Sequence, residues 1–172
     1  MIPFSPPRID QKTIDEVTDT LKSGWISTGP KTRKFEENLA QYLGADHVVA
    51  LGSATAGLQL ILNWLGIGEG DEVIIPAYTY TATANVVIHA GATPIMVDVN
   101  STDFNINCKA VENAITEKTK VIIPVDIAGM PADYNELYKI VKQNKNLFKA
   151  SNDVQEKFGR IVIISDSAHS IG

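Results

Sequence analysis

Three short stretches combine residue types that could do chemistry. The first, "SDSAH" (Ser165 to His169), places an aspartate after a run of Val and Ile, with a histidine three residues on. A carboxylate at the end of a buried strand is costly to desolvate unless something pairs with it. The second, "GSATAGL" (Gly52 to Leu58), is rich in small residues and opens a helical pattern. Small side chains let the backbone approach a ligand, and a helix start offers free N–H groups and a positive dipole end. Ser53 and Thr55 add hydroxyl donors, so the stretch can cradle a phosphate. It can equally be a helix N-cap with tight helix–sheet packing. It is neither a dinucleotide fingerprint nor a Walker loop. The third, "PAYTYTAT" (Pro76 to Thr83), sets Tyr78 and Tyr80 around a threonine just after an apolar run. An aromatic there can stack on a flat ring or pack on its own protein, and the two-residue spacing lets only one tyrosine face a site.

Taken together, the three stretches offer a phosphate cradle, a stacking aromatic and an anion for a cationic ring nitrogen. Pyridoxal 5'-phosphate unites those needs, because its electron-sink behaviour requires a pyridine nitrogen kept protonated by a carboxylate. His169 could then hydrogen-bond the ring's phenolic oxygen. Asp166 could instead cap the next turn, with His169 a polar neighbour. No second histidine or carboxylate stands at metal-ligand spacing here, so no metal is expected.

These stretches need elements to position them. Asp10 can cap a helix carrying Ile14, Val17 and Leu21 and ending at Ser23-Gly24. The loop "GWISTGP" follows, then a helix from Phe35 to Leu43 closed by Gly44. From there the chain alternates. "HVVALGS", "DEVIIPAY", "TPIMVDV", "KVIIPVDIAG" and "RIVIISD" read as five strands. "TAGLQLILNWLG", Thr81 to Ala90, Cys108 to Ile115 and Ala132 to Val141 read as the helices between them. The order predicts an α/β fold, a three-layer α/β/α arrangement around a mostly parallel sheet with right-handed crossovers. The near-continuous Val/Ile runs suit strands covered on both faces. Lys142 to Gly159 reads as a polar surface loop, and residues 1–172 read as one domain without an internal boundary. In such a sheet ligands bind beyond the carboxyl ends of the strands, where all three stretches fall.

Bulk properties exclude other classes. A chain of 172 residues can bury roughly 70% of its unfolded surface. With 44% hydrophobic and 20% charged residues it reads as globular. A net charge of −5 without a basic block argues against nucleic acid. No apolar run approaches the ~20 residues of a membrane span, and the opening Met-Ile-Pro-Phe-Ser-Pro-Pro lacks the pattern of a signal peptide. The one cysteine, Cys108, cannot form an internal disulfide and fits a reducing cytoplasm.

The order and spacing of four stretches carry a resemblance over nearly the whole chain. They are "SGWISTGPKTRKFEENLAQYLGADHVVALGSATAGLQL", "GIGEGDEVIIPAYTYTATANVVIHAGATPIMVDV", "KVIIPVDIAGMPAD" and "ISDSAHSIG". The sequence resembles the N-terminal part of nucleotide-sugar aminotransferases of the DegT–StrS type. The resemblance implies the large domain of a fold-type-I pyridoxal-phosphate enzyme. It implies that Thr55 and Ala56, beside Ser53, hold the cofactor phosphate, that Tyr80 stacks on the ring, that Asp166 pairs with the ring nitrogen, and that His169 sits near the phenolic oxygen. Trp25 and Thr28 in the "WISTGP" loop are implied to touch substrate, and Asp133 is expected to cap a helix. The implied reaction moves an amine from a donor such as glutamate to a keto group on a nucleotide-linked sugar, for surface polysaccharide or amino-sugar synthesis, in a cytoplasmic homodimer. The family's Schiff-base lysine follows the aspartate at a distance this chain does not reach, and Lys157 lies upstream of the last strand. These residues are therefore expected not to transaminate unaided, with the smaller domain lying elsewhere. A relative with histidine in place of that lysine, acting as a sugar dehydratase, and a noncatalytic cofactor- or partner-binding module are the competing expectations.

Overall fold

A computed structural model describes residues 6–171. Residues 1–5, read above for a leader, and residue 172 lie outside the described residues. The chain divides into two compact units between Ala50 and Leu51.

In the first unit, α1 (Gln11–Ser23) begins and ends as its sequence dictates. The Asp10 carboxylate accepts the Thr13 N–H at 3.0 Å, and Gly24 leaves the helix at φ 72 with its N–H on the Leu21 carbonyl. α2 (Pro30–Leu43) starts earlier than the expected Phe35. Pro30 explains the difference: its fixed φ suits a first helical turn, where a missing N–H costs nothing. The expected strand "HVVALGS" is not a strand. Apolar β-branched residues favour a strand only where a neighbour takes up the backbone groups. Here the Ala50 N–H goes instead to the Glu36 carboxylate at 2.8 Å, and Val49 is exposed.

The second unit holds α3 (Ala54–Trp64), β1 (Glu72–Pro76), α4 (Ala82–His89), β2 (Thr93–Val97), α5 (Cys108–Ala114), β3 (Thr119–Ile122), α6 (Tyr134–Gln143), α7 (Asp153–Phe158) and β4 (Val162–Ile163). Four strands, not five, make one parallel sheet in the order β2-β1-β3-β4. Successive side chains point to opposite faces, so β1 and β3 each feed two cores. Val73, Ile75, Val121 and Ile123 pack with Leu58 and Leu62 of α3 and Val86 and Val87 of α4. Ile74, Val97 and Ile122 pack with Val111 of α5 and Leu137, Ile140 and Val141 of α6. That is the expected three-layer α/β/α arrangement. The step from β1 to β2 runs one way across the sheet and the step from β3 to β4 the other. Right-handed crossovers therefore put α4 and α6 on opposite faces and open a crevice at the carboxyl ends of β1 and β3. Among the described residues no helix is long and apolar enough to cross a membrane.

The stretch Lys142 to Gly159 lies mostly at the surface, as expected, but it is not all loop. It contains a 3-10 turn, Lys145–Leu147, and α7. Asn152 accepts the Val154 and Gln155 N–H groups, both at 3.0 Å, and donates to the Leu65 carbonyl at 3.0 Å. Gln155 is 1% exposed. It donates to the same carbonyl at 2.9 Å and accepts the Ser151 N–H at 2.9 Å. Two of its polar side chains, Asn152 and Gln155, are used internally to fasten α7 to the end of α3, while its charged side chains are exposed. Gln155→Ala should cost about 1–3 kcal/mol by removing the buried amide that bridges the Leu65 carbonyl and the Ser151 N–H. Lys145→Ala, at an exposed position, should stay within about 0.5 kcal/mol. Urea denaturation midpoints of the two variants test the contrast.

Candidate functional site

The sheet's ladder continues beyond the named strands and carries the last aspartate into place. Ile164 N–H donates to the Ile122 carbonyl at 3.0 Å, Asp166 N–H to the Pro124 carbonyl at 2.9 Å, and Asp126 N–H to the Asp166 carbonyl at 3.0 Å. Val125 and Asp166 thus form a parallel bridge past the end of β4. Asp166 is half-buried, and its Oδ1 accepts the Ala168 N–H at 3.3 Å. It lines a groove of about 310 Å3 formed by Ala54, Gly57, Leu58 and Ile61 of α3 and by residues 164–168.

Ala54 and Gly57 bring the start of α3 to the other side of that groove, whereas Ser53, Thr55 and Ala56 are not among its lining residues. Ser53 Oγ accepts the Ala56 N–H at 3.1 Å and caps the helix. The cap leaves the Ala54 and Thr55 N–H groups without an intrahelical acceptor, at the positive end of the dipole. The bland and the chemical readings of "GSATAGL" are therefore compatible: Ser53 is an N-cap, and the turn it caps still presents N–H groups beside a groove.

The two tyrosines differ in their surroundings. Tyr78 packs against Phe104, ring centroids 5.5 Å apart. Tyr80 is 80% exposed, in the loop before α4. Neither lines the groove beside α3. In the first unit, Trp25 Nε1–H donates to the Thr28 carbonyl at 3.0 Å, and both residues line a cavity of about 530 Å3 with Lys31. A Cβ at Gly29 would lie 2.4 Å from Trp25 Nε1, so the indole position requires that glycine.

His169 is exposed, and its Nδ1 accepts the Ala128 N–H at 3.3 Å. An imidazole that accepts at Nδ1 is neutral and carries its proton on Nε2. Ala128 sits in left-handed backbone, φ 53, and Gly129 follows at φ 85. A Cβ on Gly129 would stand 3.0 Å from the His169 carbonyl oxygen. Buried Asn105 fixes this turn: it accepts the Ile127 N–H at 3.2 Å and donates to the Met130 and Pro131 carbonyls at 2.9 and 3.2 Å. Asp133 caps α6 through the Glu136 N–H at 2.9 Å, the role expected of it.

Two residues escaped the sequence reading. Asn105 acts on carbonyls far along the chain, which no local pattern announces. Asp126 had a signal: it ends a Val/Ile run just as Asp166 does. Asp126 is 3% exposed, with Oδ1 accepting from Ala132 N–H at 2.9 Å and Tyr134 Oη at 2.8 Å. Its Oδ2 accepts from Ser167 and Ser170 at 3.2 and 2.5 Å. Burial pushes this carboxyl's pKa up, but the donors, Ser170 first, outweigh it and leave it below the usual range. Burial, with the neighbouring carboxylate, pushes the Tyr134 hydroxyl up to about 12. Among the described residues no group of acidic, histidine or cysteine side chains could hold a metal ion.

Known proteins resemble this chain in sequence and in fold. The sequence profile of the DegT/DnrJ/EryC1/StrS aminotransferase family matches residues 7–172. The UDP-4-amino-4-deoxy-L-arabinose–oxoglutarate aminotransferase of Shewanella sediminis is 42% identical over 171 residues, which is 99% of this chain and 40% of that protein. The spore coat polysaccharide biosynthesis protein SpsC of Bacillus subtilis is 40% identical over 170 residues, 99% of this chain and 40% of the relative. The chain thus spans about 40% of the length of the curated relatives it matches. Among solved structures, the putative sugar aminotransferase Spr1654 of Streptococcus pneumoniae is 54% identical in its PMP form, with a TM-score of 0.96 over 99% of this chain and 43% of that one. Its PLP form superposes with the same score. With its profile matched from residue 7 onward and its fold shared at that level, the chain belongs to the DegT/DnrJ/EryC1/StrS aminotransferase family.

Proposed function

We propose that this chain supplies the pyridoxal 5'-phosphate site of an enzyme that transfers an amino group to a keto group of a nucleotide-linked sugar. The observation that carries the reading is one groove lined both by the first turn of α3 and by the Asp166 carboxylate. The donor set fits the cofactor. N–H groups at a capped helix start suit its phosphate, and a half-buried carboxylate suits its ring nitrogen. The names of the relatives support the reading: a sugar-nucleotide aminotransferase, and a sugar aminotransferase in PLP and PMP forms.

In this reading Ser53, Thr55 and Ala56 bind the phosphate, and exposed Tyr80 stacks on the ring. Asp166 keeps the ring nitrogen protonated. His169, held as the Nε2–H tautomer by Ala128, donates to the phenolic oxygen. Trp25 and Thr28 contact the sugar nucleotide. The cofactor, when bound, supplies the electron sink and carries the amine between donor and acceptor. No lysine lines the groove, so the amine that would tether the cofactor is not among its residues. An amino donor such as glutamate, a homodimeric assembly and a cytoplasmic location complete the proposal, with surface polysaccharide or amino-sugar synthesis as the setting.

Asp166→Asn in the enzyme containing this chain should lower the single-turnover rate of amine transfer by about 10²-fold or more, the scale set by losing one preorganised electrostatic group. An unchanged rate would remove Asp166 from the ring nitrogen. Tyr80→Ala should weaken cofactor binding about tenfold, as expected for one stacking contact, while Tyr78→Ala should leave it near wild type. A fluorescence titration with the cofactor that ranked the two tyrosines the other way round would reverse the stacking assignment.

A further inference from the structure

We propose that Asp126 is a positioning residue of this site: through a ring of hydroxyls it sets the loop that presents Asp166 and His169 to the cofactor. The proposal rests on the cofactor reading above. Asp126 touches both loops of the site. Its backbone N–H donates to the Asp166 carbonyl. Its Oδ2 accepts from Ser167 and Ser170, which flank Ala168 and His169. Its Oδ1 accepts from Ala132 N–H and Tyr134 Oη at the far end of the 127–131 turn. That turn carries the Ala128 N–H that fixes the His169 tautomer. One buried carboxylate therefore couples the spacing of the two loops, and all of its side-chain donors recorded here are neutral.

The ring extends to the groove. Ser165 Oγ, on the groove wall, contacts both the Tyr134 hydroxyl and Ser167 Oγ. Tyr134 and Ser167 each direct their single proton to Asp126. Ser165 then has one proton for two neighbours. Its hydroxyl is the member of the ring that can turn, and Ser165, like Ser167, lines the groove. Asp126 itself has no such freedom, because all four of its contacts are donors.

The test uses the full-length enzyme containing this chain, loaded with pyridoxal 5'-phosphate, and its Asp126→Asn, Tyr134→Phe and Ser170→Ala variants. Asparagine keeps the shape of Asp126 but places an NH2 group among donors. Asp126→Asn should weaken cofactor binding by about 10–100-fold, the scale seen when the support of a bound group is removed from its outer shell. The visible circular dichroism per bound cofactor should change with it, because the ring's tilt depends on both loops. Before cofactor is added, amide hydrogen exchange should accelerate in residues 127–132 and 165–171. Ser170→Ala and Tyr134→Phe should show smaller shifts of the same kind, and they decide the matter should Asp126→Asn not fold. A lower melting temperature with unchanged affinity and dichroism in the variants would overturn the proposal and leave Asp126 a packing residue. Should the wild-type enzyme take up no cofactor, the reading of the groove falls and this proposal with it. Should wild type bind and the variants bind identically, only this proposal falls.

Discussion

The ladder between β3 and β4 outlasts both strands. After Ile122 and Ile163 the chains remain in step through Ile164, Pro124, Asp126 and Asp166, ending in the bridge between Val125 and Asp166. Backbone groups this close to a core must find partners, and here each chain is the other's partner. The consequence is positional: two aspartates from distant parts of the sequence arrive side by side at the carboxyl edge of a parallel sheet. The groove, the His169 contact and the hydroxyl ring all hang from that register. A slip of one residue would turn either aspartate toward the opposite face.

Much of this was legible in the sequence, for physical reasons that can be named. Caps are local, so Asp10, Gly24 and Gly44 were read correctly. Strands covered on both faces must be apolar throughout, so the four Val/Ile runs that became strands stood out. The position of Asp166 beyond the last strand follows from the same pattern. Failures arose where a residue's partner is remote or replaced. "HVVALGS" has strand composition, but a strand is made by its neighbour, and Glu36 takes its Ala50 N–H. Within residues 142–159, Asn152 and Gln155 satisfy the Leu65 carbonyl, which no local reading could locate. α2 began early because Pro30 serves as a helix starter as readily as a breaker.

The site residues divide along the same line. Tyr78 and Tyr80 were indistinguishable in sequence, since the difference between them is Phe104, which lies beyond β2 and packs on only one of them. Asn105 was invisible, because its acceptors Met130 and Pro131 come together with it only in the fold. Gly129 answers to a turn rule, since the tight turn from Ile127 to Met130 takes positive φ at both Ala128 and Gly129, and to a neighbour remote in the chain. Its positive φ and the nearby His169 carbonyl oxygen both require the missing side chain.

Asp126 and Asp166 occupy equivalent places, each at the end of an apolar run, each paired to the other's strand by main-chain bonds. Their side chains differ in one respect that decides their roles. Asp126 is buried, and four neutral donors hold it ionised below the usual range. A carboxylate so fully satisfied has nothing left to offer a ligand. Asp166 is half-buried and takes the Ala168 N–H at 3.3 Å, with a groove in front of it. Partial desolvation with acceptor capacity in reserve favours a positively charged partner over water. The fold thus gives the same residue type, at the same kind of position, two different surroundings, four donors around one carboxylate and one backbone donor on the other.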